Sequence, residues 1–127
     1  MKTALFPAAL LMLVLFISTS SNFAQDWKKT NPGMNNVLVD TSLVRASVVT
    51  MDPGQKSDIH THPAHFFYML TDGKAIVSYT DGKSESYDLK AGDGGFSNPE
   101  RPHTIENVGK KQFKFLIVEL KEHPYKK

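Results

Sequence analysis

Apolar and polar residues alternate in short runs along most of this chain, and turn-forming residues separate the runs. Residues 43–51, LVRASVVTM, alternate and are rich in β-branched side chains, which favours a strand. Asp72-Gly73 and Asp81-Gly82 are hairpin signals on either side of another alternating run, residues 74–80. No window of about 11 residues has a convincing helical period. The pattern therefore predicts a chain built from strands.

Further runs and turns predict about eight or nine short strands, and so an all-β sandwich or small barrel. Pro63 separates two of these strands, because proline cannot donate to a strand ladder. After residue 51 the predicted strands cover residues 59–62, 65–71, 74–80, 84–89, 96–98, 102–108 and 112–121. The last strand is apolar on both faces, which predicts a cover on each side, from a second sheet, an N-terminal arm or a partner subunit. We expect a homodimer.

The first residues have the pattern of a secretory signal peptide. A positive start precedes an apolar run over residues 4–17, and a polar stretch over residues 18–22 leads to Phe23 and the small residue Ala24. The apolar run is shorter than the roughly 20 residues of a spanning helix, which argues against an uncleaved membrane anchor. The sequence therefore predicts a secreted or periplasmic protein that is free of the membrane after cleavage. The predicted segments are a signal peptide (1–24), an N-terminal arm or loop (25–36), the β domain (37–121) and a tail (122–127).

Composition narrows the possible chemistry. The chain is 40% hydrophobic and 22% charged, as in ordinary globular domains. Its formal net charge is +2 with mixed signs, so no basic surface indicates a nucleic-acid partner. The chain has no cysteine, which excludes disulfides, thiolate metal sites and a cysteine nucleophile.

Three histidines carry the candidate chemistry. His60 and His62 lie two residues apart on a predicted strand, so their imidazoles share a face. His103 lies on another predicted strand, and three imidazoles from two strands can converge on one ion. Imidazole suits Zn, Cu, Fe and Ni. Surface or hydrogen-bonded core histidines are the alternative.

The spacing of these residues resembles the two motifs of the cupin superfamily. The first motif is matched by Gly54, His60-Thr61-His62 and Gly73, and the second by Gly92-Asp93, Pro99, His103 and Asn107. The resemblance covers about residues 37–120 and implies a small double-stranded β-helix, similar to a jelly roll. It also implies that His60, His62 and His103 hold a divalent metal ion (Fe, Zn, Ni or Mn) that binds or acts on a small organic ligand.

The chain also departs from the family pattern. Cupins usually have a metal-binding glutamate four residues after the second histidine, and Phe66 occupies that position here. His65 is adjacent and could replace this glutamate as a ligand, but strand parity points its side chain away from the site and favours a place at the rim or behind the ligands. The same parity places Phe66, Tyr68 and Leu70 on the inner face, with Tyr68 as the candidate catalytic acid or hydrogen-bond donor, and plain barrel core as the alternative. In the turn before His103, Glu100 and Arg101 are expected at the solvated barrel mouth.

Three functions remain open from the sequence. The first is a metal-dependent dioxygenase, isomerase or lyase, favoured by the open coordination positions that three histidines leave. The second is a non-catalytic module that binds a metal or small ligand, favoured by the missing glutamate. The third is a metal-free β-sandwich in which the histidines are incidental.

Overall fold

The computed structural model describes residues 26–127, in which nine strands form two antiparallel sheets. A short helix, α1 (Trp27–Thr30), and one 3₁₀ turn (Pro32–Met34) precede the strands. The strands are β1 (Asn35–Asp40), β2 (Val44–Met51), β3 (His60–His62), β4 (His65–Met69), β5 (Gly73–Tyr79), β6 (Ser84–Leu89), β7 (Gly94–Ser97), β8 (Glu100–Asn107) and β9 (Phe113–Leu120). Most predicted strand limits agree with these bounds to within two residues.

The order of the strands is that of a jelly roll. One sheet has the order β1-β2-β9-β4-β7, and the other has the order β3-β8-β5-β6. Strands that are distant in sequence are thus neighbours, and the chain passes repeatedly from one sheet to the other. This arrangement confirms the prediction of an all-β double-stranded β-helix.

The core lies between the sheets, where alternate residues of each strand point. In β9, Phe113 and Ile117 are buried, while Leu116 and Val118 on the opposite face are partly exposed. The core cluster comprises Trp27, Met34, Val49, Met51, Met69, Ala75, Phe113 and Ile117. The face with Phe113 and Ile117 is therefore the inner face of β9, a choice that its two apolar faces leave open in the sequence.

The segment before β1 packs against the barrel, although its polar sequence predicts only an arm or loop. Asp26 caps α1 by accepting a hydrogen bond from the Lys28 backbone N–H at 2.9 Å. Trp27 is only 1% exposed and belongs to the core cluster. The helix has only four residues, too few for a hydrophobic period to be visible in the sequence.

The connection between β3 and β4 changes which residues face inward. Pro63 and Ala64 lie between the strands, and Ala64 is held by backbone hydrogen bonds to Leu120 and His123. Parity counted from His62 therefore does not continue into β4. The prediction that Phe66, Tyr68 and Leu70 line the interior is wrong, because they lie on the outer side and are 42%, 41% and 45% exposed.

The predicted signal peptide, residues 1–24, lies outside the described residues. Within residues 26–127, no helix has the length and apolar character needed to cross a membrane.

Candidate metal centre

The pairing of β3 with β8 brings the three predicted histidines together. His60 lies directly opposite His103 in the ladder, and His62 lies opposite Glu100. One ring nitrogen from each of His60, His62 and His103 lies within 4.8 Å of the other two, and all three side chains are buried. The i,i+2 spacing on β3 puts both of its histidines on the inner face, as expected.

A fourth histidine joins this cluster. His65 is 5% exposed, and its ring centroid lies 5.0 Å from that of His62. The parity argument that points His65 away is wrong, because the Pro63-Ala64 connection changes the phase of β4. The proline is visible in the sequence. The backbone hydrogen bonds between Ala64 and the end of β9, which establish the new phase, are not.

The four imidazoles make the same kind of hydrogen bond. Each Nδ1 lies 2.7 to 2.9 Å from an oxygen that only accepts, so each Nδ1 carries the hydrogen. The acceptors are the carbonyl oxygens of Asp58 for His60, Pro63 for His65 and Arg101 for His103, and the Glu119 carboxylate for His62. With Nδ1–H committed in this way, each Nε2 presents a lone pair to the interior.

At least one of these lone pairs has no donor to satisfy it. The buried Nε2 of His60 has no hydrogen-bond partner among the described residues. Leaving a buried polar atom unsatisfied costs about 1–3 kcal/mol. A metal ion removes this cost, because it accepts lone pairs from several imidazoles at once. The donor set and the orphaned atom therefore fit a divalent metal ion.

A chain of charged groups supports His62 from behind. Glu119 is 1% exposed, and its Oε1 accepts from His62 Nδ1 at 2.8 Å. Arg45 donates to Glu119 Oε2 at 2.6 Å and pairs with Asp26 at 2.8 Å. Such outer partners fix the orientation of a ligating imidazole and raise its basicity. Sequence analysis missed Glu119, although a charged residue in phase with Phe113 and Ile117 on an apolar strand is a signal that can be recognised.

Burial keeps the cluster in the form that binds metal. It lowers the pKa of His60 to about 2, with further lowering from the nearby His62 and His103. Burial also lowers the pKa of His65 and of His103. For Glu119 burial acts to raise the pKa, but the hydrogen bonds from His62 and Arg45 outweigh it and hold the pKa below its usual value. Neutral imidazoles of His60, His65 and His103 thus face the interior, and an ionised carboxylate lies behind His62.

The cluster opens into an apolar cavity of about 120 Å³. An apolar cavity of about 150 Å³ accommodates a benzene molecule, so this slightly smaller cavity suits a small organic ligand of no more than about that size. Its apolar wall includes Val49, Phe67, Met69, Phe113, Phe115 and Ile117. Tyr68 is outside this wall, on the opposite side of β4, so the structure does not bring the predicted catalytic tyrosine to the cluster.

Glu100 faces the histidines, although the sequence predicts a solvated turn for it. Its Oε2 lies 3.7 Å from His103 Nε2 and 3.8 Å from His65 Nε2. The Tyr79 hydroxyl donates to its other oxygen at 3.0 Å. Arg101 instead lies over the Tyr79 ring and pairs with Asp81.

Known proteins share this fold and part of this sequence. The family model described as "Cupin domain" matches residues 47–119. Oxalate decarboxylase OxdC of Bacillus subtilis is 30% identical over 86 residues, which are 65% of this chain but only 22% of that protein. The chain therefore spans about a fifth of this curated relative.

Solved structures give the same result for the fold. A cupin domain from Bordetella pertussis matches with a TM-score of 0.62 at 21% identity, over 68% of this chain and 90% of that one. A double-stranded β-helix protein from Klebsiella pneumoniae matches with a TM-score of 0.56 at 27% identity, over 68% and 74% of the two chains.

The buried neutral histidines predict that the metal-free protein loses stability as the pH falls. In the unfolded chain histidine titrates near its ordinary pKa of about 6.5, whereas the pKa of His60 in the folded protein is about 2. Between these values the unfolded state binds more protons, so folding is favoured above pH 6.5 and progressively less below it. The free energy of unfolding should fall by up to about 1.4 kcal/mol per pH unit for each such histidine.

Urea unfolding of the metal-free protein between about pH 8 and pH 4 measures this dependence. His123→Gln, in the exposed tail, should leave the profile unchanged. A stability that stays constant or rises between about pH 6.5 and pH 4 contradicts the prediction.

Proposed function

Since the chain belongs to the cupin-domain family, we propose that it binds one divalent metal ion through His60, His62 and His103 and presents that ion to a small organic ligand. His65 is a further ligand of the same ion. The observation that carries the proposal is the common orientation of the four imidazoles. Each donates its Nδ1–H to the protein, and one ring nitrogen from each of His60, His62 and His103 lies within 4.8 Å of the other two.

The cavity supports a ligand with an apolar body. Aliphatic and aromatic side chains form most of its wall, and the histidines occupy one end. A ligand with one or two oxygen donors can reach the ion while its carbon skeleton packs against this wall. Oxalate, on which the Bacillus relative acts according to its name, has no such skeleton, so we do not extend that substrate to this chain.

A bound ion supplies Lewis-acid polarisation of a ligand oxygen or, if it is iron, redox chemistry with oxygen. The protein's own contribution is to keep the imidazoles neutral, to hold the carboxylates of Glu100 and Glu119 on two sides of them, and to exclude water with the apolar wall. Metal-dependent catalysis on a small ligand is therefore our first proposal. The orientation of Tyr68 away from the cavity favours a second one, a non-catalytic binding module.

Replacing any cluster histidine by alanine should remove most of the bound metal. His60→Ala, His62→Ala and His103→Ala each delete one of the converging nitrogens, and His65→Ala should also weaken binding. Metal content after loading and desalting measures the loss. Trp27, the only tryptophan in the chain, lies 4.2 Å from the His60 ring, so quenching of its fluorescence by Co²⁺ or Ni²⁺ is an independent readout.

His123→Ala is the matched control, because His123 is exposed beyond β9. It should retain the metal content of the unmodified protein. If His103→Ala keeps a full equivalent of metal, the proposed ligand set is wrong.

We also propose that the protein is a homodimer that associates through the outer face of the five-stranded sheet. One row of directly paired residues on this face is Ala46, Val118, Phe66 and Phe96, and the next row includes Val48, Leu116 and Tyr68. Phe96 is 61% exposed. Neither row contains a charged residue, so two copies related by a two-fold axis can pack along these rows without like-charge repulsion between them.

The variant Phe96→Glu should shift the protein from dimer to monomer, because association then buries two unpaired carboxylates. Light scattering at micromolar concentration measures the change. Val108→Glu introduces the same charge at another exposed apolar position and should remain dimeric. A monomeric mass for the unmodified protein excludes the proposed dimer.

We also propose that the protein is exported to the periplasm or the medium. The support for this is the signal-peptide pattern of residues 1–24 alone. Protein recovered from outside the cytoplasm should have the mass of a chain that begins near Gln25. A full-length mass in the membrane fraction would exclude this processing.

A further inference from the structure

A carboxylate faces the histidine cluster from a strand on which the family pattern does not place one. The position at which cupins usually have glutamate is Phe66, and its side chain lies on the outer face of the barrel. Glu100 is the first residue of β8 and the ladder partner of His62. Its side chain reaches the inner side of the barrel next to His65 and His103.

We propose that Glu100 is a carboxylate ligand of the metal ion, bound through Oε2. The proposal rests on the proposed metal site and adds to it a ligand from β8. Bonds of about 2.1 Å at angles of about 90° to 180° place two ligand atoms about 3.0 to 4.2 Å apart. The distances from Oε2 to His103 Nε2 and His65 Nε2, 3.7 and 3.8 Å, both fall within this range.

The hydrogen-bonding roles of these atoms support a cation between them. The imidazoles of His65 and His103 donate their hydrogens through Nδ1, so each Nε2 presents a lone pair. An ionised carboxylate oxygen is also an acceptor only. Three acceptors that converge without a donor repel one another, and a divalent ion at their centre turns this repulsion into attraction.

The second oxygen of Glu100 is held by the protein. Tyr79 donates its hydroxyl hydrogen to Oε1 at 3.0 Å, and its ring is buried beneath Arg101, whose guanidinium carbon lies 3.7 Å from the ring centroid. Arg101 pairs with Asp81 at 3.0 Å, so its guanidinium group does not form an ion pair with the Glu100 carboxylate. Ligating carboxylates are commonly oriented by such hydrogen bonds. The arrangement leaves Oε2 free for monodentate binding.

This ligand changes which metal the site prefers. An all-histidine set suits Zn, Cu and Ni, whereas carboxylate oxygen suits harder ions such as Mn²⁺. The carboxylate also reduces the net charge of the metal centre from +2 to +1. Removing it should therefore weaken Mn²⁺ binding more than Zn²⁺ binding.

The experiment compares Glu100→Gln and Tyr79→Phe with the unmodified protein after metal is stripped and restored. Competition with a chromophoric chelator gives the dissociation constants for Mn²⁺ and Zn²⁺, and the visible absorption of the Co²⁺ form reports the ligand set. Glu106→Gln is the matched control, because Glu106 lies on the same strand but pairs with Lys56 outside the cluster. Trp27 fluorescence and the unfolding midpoint verify that each variant is folded.

We expect Glu100→Gln to lower the affinity for Mn²⁺ by at least about tenfold, the lower end of the loss on removing even an outer partner of a metal site. The affinity for Zn²⁺ should fall by a smaller factor, and the Co²⁺ spectrum should change. Tyr79→Phe keeps the ring under Arg101 and should lower the affinity for Mn²⁺ by a smaller factor than Glu100→Gln. Glu106→Gln should match the unmodified protein. If Glu100→Gln does not fold, Tyr79→Phe carries the test alone, and an affinity for Mn²⁺ equal to that of the unmodified protein then overturns the proposal.

Each contrary result has a distinct meaning. If Glu100→Gln binds both metals as the unmodified protein does while His60→Ala does not bind, Glu100 is not a ligand and the histidine site stands. A lower affinity with an unchanged Co²⁺ spectrum likewise overturns direct ligation by Glu100. If the unmodified protein binds none of the three metals, the proposed function and this inference are both wrong.

Discussion

The convergence of buried lone pairs is the constraint on which the rest of the site depends. A folded chain does not normally bury several hydrogen-bond acceptors against one another, because each loses its contact with water. Here backbone carbonyl oxygens accept hydrogen bonds from Nδ1 of His60, His65 and His103, and the Glu119 carboxylate accepts one from Nδ1 of His62. The surrounding barrel therefore holds these nitrogens in an arrangement that a bound cation makes favourable.

Residues outside the cluster help to hold its imidazoles in this arrangement. The short helix α1 places Trp27 against His60, where it covers the imidazole and closes the core. Asp26 at the start of that helix pairs with Arg45, which in turn holds Glu119 behind His62. The first residues of the described chain thus help to orient a side chain on β3. A segment with the composition of a loop acts as a structural part of the site.

The strands and the first three site residues could be predicted from the sequence because both depend on local spacing. Alternation and turn residues locate strands such as β2 and β9, and the i,i+2 spacing puts His60 and His62 on one face. His65, Tyr68 and Glu100 were placed incorrectly for a common reason. Their orientation depends on pairings with distant strands, namely Ala64 with the end of β9 and Glu100 with His62. Parity along a single strand contains no information about such pairings.

The two-residue connection at Pro63 and Ala64 has a consequence for how this protein can change. It determines which side of β4 faces the histidine cluster and which side faces outward, so the inner residue His65 and the outer aromatic residues Phe66 and Tyr68 are set together. Deleting one residue there would exchange the two sides and turn phenylalanine toward the cluster and histidine toward the surroundings. A variant that alters this connection therefore changes the residues that face the histidine cluster and the residues on the outer surface in the same step.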